Sequence, residues 1–178
     1  MGLDIVVHQA LELETEDIPE NYDDYLEDRI YITENPGFPD QLGSMKPGVY
    51  KQRYREGYSF RAGSYGGYGC WRDMLCRMAH GISSTELLAN PPKPKTLFES
   101  IPFQELICFS DCEGVIGTDV CKKLAEDFYK YINKAINFAK NEIAEEEEDE
   151  EAKHFLSLYF RWMHACQDAS WDGCLIFS

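Results

Sequence analysis

No apolar run in this 178-residue chain approaches the length of a bilayer span, so no membrane-crossing helix is expected. Neither HExxH nor GxSxG occurs, which removes the sharp metalloprotease and serine-hydrolase signatures. No Gly-Lys-Ser/Thr follows the glycines, and their spacing is not a dinucleotide fingerprint. No internal repeat is present, so a solenoid is not expected. The seven cysteines are odd in number and contain no CxxC pair. Asp4 interrupts the first apolar run and no basic segment precedes it, so no secretory signal is expected. Val6 stands where a myristoylation signal has Ser or Thr. These absences predict free thiols in a reducing cytoplasm. A zinc site from Cys108, Cys112 and Cys121 is poorly spaced, and no cofactor is expected.

Positive charge is also scarce. Seventeen Lys and Arg stand against 32 Asp and Glu, a net charge of −15, and the isoelectric point is near 4.6. Such a surface excludes nonspecific binding of nucleic acid through the molecule as a whole. It suits a protein that competes with nucleic acid for a basic partner.

What is present is a core. The chain is 44% apolar and 13% aromatic, too rich for disorder and sized for one domain over 1–178. Residues 3–9 (LDIVVHQ) read as a central strand and 28–33 (DRIYIT) as a second. Between them 11–27 reads as acidic and irregular, with a helical turn near 22–26. Residues 35–48 are too dense in Pro and Gly for regular structure. Residues 49–60 would hold a short aromatic strand or an extended edge, and 90–95 (NPPKPK) a rigid linker. Residues 105–110 (ELICFS) read as a buried strand and 111–117 as a turn. Thr118 is then expected to cap a long helix to about 143, striped by Cys121, Leu124, Phe128, Tyr131, Ala135 and Phe138. A second helix to about 169 would bury Phe155, Tyr159, Trp162, Met163 and Cys166. The acidic tip at 142–151, with its run of acids at 145–151, joins the pair, and residues 174–177 (CLIF) close the chain as a strand. The expected fold class is α+β: a small mixed β-sheet against a long C-terminal helical hairpin and one shorter helix.

One stretch, 50–80, combines a basic aromatic segment, a glycine turn and an amphipathic helix. Over 46–77 it carries Lys46, Lys51, Arg53, Arg55, Arg61, Arg72 and Arg77 against Glu56 and Asp73, which is +7 − 2 = +5. The remainder therefore carries −20. A turn at 64–69, opening a helix at 70–80, would aim backbone N–H groups at a phosphate or carboxylate. Arg61 and Arg72 would supply charge. Ser64, Tyr65, Gly66, Gly67, Tyr68 and Trp71 would complete the site, with the aromatic rings stacking on a base. A competing reading has the tyrosines packed on the core and the arginines paired with nearby acids.

Three weaker constellations remain. Asp111 and Glu113 would hold a metal or share a proton, or simply shape a turn. His164 and Asp168 share a helix face near Ser170, Trp171 and Asp172, with no nucleophile specified. His8 has no defined partner. The acid run 145–151 would solvate a loop or mimic a nucleic-acid backbone.

The segment FRAGSYGGYGCWRDML resembles one in small uncharacterised acidic phage and prophage proteins, carried here by Phe60, Gly63, Ser64, Tyr65, Gly67, Tyr68, Trp71 and Arg72. Asp111, Glu113, Gly114, Ile116 and Gly117 are similar to a second segment of that group. The resemblance implies a phage-associated protein of the host-cell cytoplasm and carries no activity with it. By association with phage accessory proteins it favours antagonism of host defence. The leading expectation is capture of a small anionic, nucleotide-like ligand. The alternatives are an acidic inhibitor or DNA mimic docking on a basic host protein, and a nucleotide hydrolase. Binding is favoured over catalysis. No direct nucleic-acid or membrane partner is expected, and homo-oligomerisation is left open.

Overall fold

The computed structural model describes residues 2–21, 26–35, 37–54, 57–90, 101–109, 113–143 and 149–178. β1 (Gly2–His8) alternates because Leu3, Ile5 and Val7 face inward while Asp4 and His8 do not. It lies between β5 (Tyr58–Ser64) and β7 (Cys174–Phe177), and β7 in turn pairs with β6 (Gly114–Ile116). A second sheet has β4 (Gly48–Gln52) between β2 (Leu11–Thr15) and β3 (Arg29–Ile32). The α+β class is as expected. The expected single mixed sheet is corrected to two sheets, each antiparallel throughout.

The two faces of β7 divide the core. Leu175 and Phe177 join the helical side, while Cys174 and Ile176 meet Leu11, Ile32, Leu42, Tyr50 and Val115 beneath the second sheet. The helical side is built by α1 (Tyr65–His80), α4 (Thr118–Phe138) and α5 (Asp149–Ala169), with the short α2 (Ser84–Ala89) and α3 (Gln104–Ile107) at the rim. A π-type turn (Ala139–Ile143) extends α4. α4 and α5 run antiparallel: Phe138 meets Phe155, and the Tyr159 hydroxyl donates to the Phe128 carbonyl at 2.6 Å. The predicted stripes are buried, except that Tyr131 and Met163 are only partly covered.

Several local expectations are corrected. Residues 11–15 form β2, because backbone pairing with β4 outweighs an acidic composition. Residues 49–60 split into β4 and β5. Residues 105–107 of the expected 105–110 strand belong to α3 instead. Leu106, Ile107 and Phe109 are all fully buried, and a short continuous apolar run has no period to separate strand from helix. The cap of α4 is Gly117, not Thr118, whose hydroxyl donates across the chain to the Gly173 carbonyl at 2.7 Å. The expected turn at 22–26, apart from Leu26, and the linker from 91 lie outside the described residues, as do Ser110, Asp111 and Cys112.

The 111–117 segment, expected as a turn, contains β6, and its two glycines have steric work. A Cβ on Gly117 would stand 2.1 Å from the Leu42 carbonyl oxygen; one on Gly114, at φ 148, would stand 2.5 Å from the Phe109 ring. The loop packed this closely plugs the open edge of β6. Buried Asn35 donates Nδ2 to the Val115 carbonyl at 2.6 Å and accepts the Val115 N–H at 3.0 Å. One amide side chain thereby substitutes for a neighbouring strand. Asn35→Ala leaves both backbone groups buried without a partner. It should lower the unfolding free energy by about 2 kcal/mol in urea titration, and an unchanged midpoint would show the edge needs no plug.

Candidate functional site

β5 runs directly into α1. Ser64 is in extended conformation and its hydroxyl accepts the Gly67 N–H at 3.0 Å, an N-cap that starts the helix at Tyr65. The expected turn at 64–69 is therefore the cap and first turn of α1. Gly66 and Gly69 have open space where a Cβ would stand, and Tyr65 is exposed. No carboxylate lies in that first turn.

Gly67 is part of that turn, whereas Tyr68, Trp71 and Arg72 turn away from it. Tyr68 and Trp71 are buried, and with Trp162 of α5 they form a three-ring cluster. Centroids are 6.2 Å apart for Tyr68–Trp71, 5.9 Å for Tyr68–Trp162 and 5.8 Å for Trp71–Trp162. Trp71 Nε1 donates to the Phe155 carbonyl at 3.3 Å. Burial drives the Tyr68 hydroxyl well above the usual phenol range. The Arg72 guanidinium lies 5.1 Å from the Tyr68 ring centroid, and Nη1 donates to the carbonyls of Ile107 and Phe109 at 2.8 and 3.1 Å. It ties α1 to the segment after α3. Tyr68 and Trp71 are packed as core, as the competing reading has it, and present no face to a base.

Arg61 is elsewhere. It pairs across β5 and β1 with Asp4, its register partner, Nη1 to Oδ2 at 2.7 Å, and its guanidinium lies over Gly2. The other cations of the basic window follow the same pattern. Lys46 meets Glu16, Arg53 meets Asp172 and Glu12 at 3.3 and 4.0 Å, and Arg77 meets Asp73 at 2.7 Å. Lys51 is exposed, and Arg55 is outside the described residues. Lys46, Arg53 and Arg61 are thus paired with acids from other elements, and Arg77 with an acid of its own helix. Lys122 and Lys130 of α4 are exposed and, like Lys51, meet no carboxylate among the described residues.

The lesser constellations are placed as follows among the described residues. Glu113 is exposed at a pocket of about 200 Å³ lined also by Glu34, Asn35 and Phe38, while its expected partner Asp111 is outside the described residues. Asp168 accepts the Tyr58 hydroxyl at 3.0 Å, and no bond to His164 occurs. His8 Nδ1 is 3.4 Å from Gln52 Oε1, and burial lowers its pKa despite that contact. Cys121 is fully buried, its thiol directed at the Ile116 carbonyl, and burial pushes that thiol well up. The six described cysteines are free thiols. Among the described residues no group of His, Cys, Asp and Glu is placed to hold a metal. Of the acid run, 145–148 lies outside the described residues, and Glu150 pairs with Lys153.

What sequence reasoning missed is an exposed aromatic surface. Trp171, Tyr54 and Tyr58 are 71%, 69% and 40% exposed. The signal available was weak: Trp171 stands outside the helical stripe that buries Trp162, but its neighbours come from distant segments.

No protein-family model matches the chain, and no curated protein or solved structure matches it either.

The geometry gives Arg72 and Arg61 different weights. Arg72→Ala should lower the unfolding free energy by about 2–3 kcal/mol, because two carbonyls lose a charged donor. Arg61→Ala, in an exposed pair, should cost under about 1 kcal/mol. Equal urea midpoints for the two variants would refute the tie from Arg72 to α3.

Proposed function

We propose that the chain is an acidic binding protein that occupies the basic surface of a partner protein. The observation carrying this reading is the internal spending of the one basic segment. Lys46, Arg53, Arg61 and Arg77 pair with carboxylates, and Arg72 is held by carbonyls. Meanwhile Asp17 and Glu20 are exposed and meet no cation among the described residues, and Glu12, Glu14 and Glu16 stay exposed beside theirs. A body with net charge −15 attracts basic surfaces and repels nucleic acid. The phage-like segment makes a host defence protein the partner to look for first. The test is affinity capture from host lysate followed by calorimetry with the purified partner. The partner should be basic, and DNA should compete for it. Raising salt from about 50 to about 300 mM should weaken binding at least tenfold. An acidic partner, or affinity indifferent to salt, would end this reading.

A second reading, capture of a small anion, keeps one observation: the α1 start has open glycines, an exposed Tyr65 and no acid in its first turn. Amide N–H groups at such a helix start favour phosphate. Titrating ATP or inorganic phosphate should shift the Tyr65 and Gly66 amide resonances. Gly66→Asp, which suits a helix start yet repels anions, should abolish the shift. Wild-type resonances that stay fixed at millimolar ligand would remove the site.

A further inference from the structure

Where β1 turns into β2, two non-glycine residues in left-handed conformation are bonded through their turns. Ala10 has φ 55 and Asp172 has φ 48. The Ala10 N–H donates to the Trp171 carbonyl and the Leu11 N–H to the Asp172 carbonyl, both at 2.7 Å. The Arg53 N–H donates to the Ala10 carbonyl at 3.0 Å. Gly173 completes the clamp, since a Cβ there would stand 2.0 Å from the His8 carbonyl oxygen. Backbone strain of this kind persists only where surrounding structure enforces it, and it concentrates at functional surfaces.

The clamp holds Trp171 in solvent, whereas Trp71 and Trp162 are fully buried. Tyr54 directly follows the clamped Arg53. Tyr58 stands beside the same helix end through its hydroxyl bond to Asp168, whose carbonyl accepts the Trp171 N–H. Exposed aromatic residues whose backbones are linked in this way supply anchors for a contact surface, and a rigid backbone lowers the ordering cost of binding. Carboxylates rim this surface. Asp172 and Glu12 both approach the Arg53 guanidinium, so a cation is already held here by the chain itself.

We propose that this surface docks an arginine- or lysine-rich segment of a partner protein, whose cations stack on Trp171 and Tyr54, pair with Asp168 and compete with Arg53 for Asp172 and Glu12. The inference rests on the acidic-docking reading and names its surface. Aromatic faces attract cations, guanidinium best. A second copy of this chain, also carrying −15, is the poorer occupant.

Nona-arginine is the probe. With Trp71 and Trp162 buried, a change in tryptophan emission on titration reports Trp171. The wild type should show a saturable change, and calorimetry should find the Trp171→Ala/Tyr54→Ala variant at least tenfold weaker. Tyr129→Ala should bind as the wild type does, because Tyr129 is equally exposed but lies on α4. None of these substitutions alters net charge, so bulk attraction is held constant. Equal affinity of the double variant and the wild type overturns this surface while leaving acidic docking intact. No binding by the wild type at low salt overturns both.

Discussion

The cluster of Tyr68, Trp71 and Trp162 is the contact on which the fold turns. Tyr68 and Trp71 are three apart and therefore share a face of α1, which delivers both rings to α5. Phe177 of β7 and Phe60 of β5 close on Trp162 from the sheet, so one group of rings joins two helices and two strands. Aromatic pairs of this kind add about 0.5–1.5 kcal/mol each beyond area burial. The cluster also explains why α1 starts where it does. Three of its first five residues are glycine, each costing up to about 1 kcal/mol against alanine in a helix. The Ser64 cap and burial of two large rings in the next turn offset that cost.

Charge follows from the same geometry. Because α1 must face inward, Arg72 is carried to a half-buried position, where it meets no carboxylate among the described residues. Its Nη1 donates to two carbonyls beside an aromatic face, while its buried Nε has no hydrogen-bond partner there. Arg61, eleven residues earlier on an edge strand, has solvent and a cross-strand acid instead. Two arginines that flank one motif in sequence thus have unrelated tasks. Their proximity along the chain says little about a shared ligand, because a strand-to-helix junction sends neighbouring side chains in different directions.

Long periodic elements were legible in the sequence. The stripes of α4 and α5 bury the side chains their spacing implies, since a 21-residue helix offers many turns of consistent pattern. The strands β1, β3 and β7 were legible for the same reason at period two. Failures lie where pairing or packing overrides local signals. β2 is acidic but hydrogen-bonds to β4; α3 is apolar but too short to show a period; Thr118 looks like a cap but is drawn to Gly173. The expected site was legible as residues but not as a place. Ser64, Tyr65 and Gly66 do form a helix start, whereas Tyr68 and Trp71 went to the core and Arg72 to the carbonyls of Ile107 and Phe109. Burial is a long-range outcome, and Trp162, the residue that decides it, lies ninety residues further along the chain.

The segments at 60–72 and 113–117 have a physical reading of their own. Phe60, Ser64, Tyr68, Trp71 and Arg72 cap, pack or tie α1, and Gly114 and Gly117 permit the close approach that plugs β6. Such positions tolerate few replacements because the interior around them is filled. A pattern composed of them describes how a chain folds; it is largely silent on what the surface meets. Tyr65 is the exception, being exposed. Trp171 and Tyr54 lie outside those two segments and are exposed. The Trp171 carbonyl and the Arg53 N–H next to Tyr54 are both bonded to Ala10, an arrangement that depends on left-handed backbone and not on any one side chain.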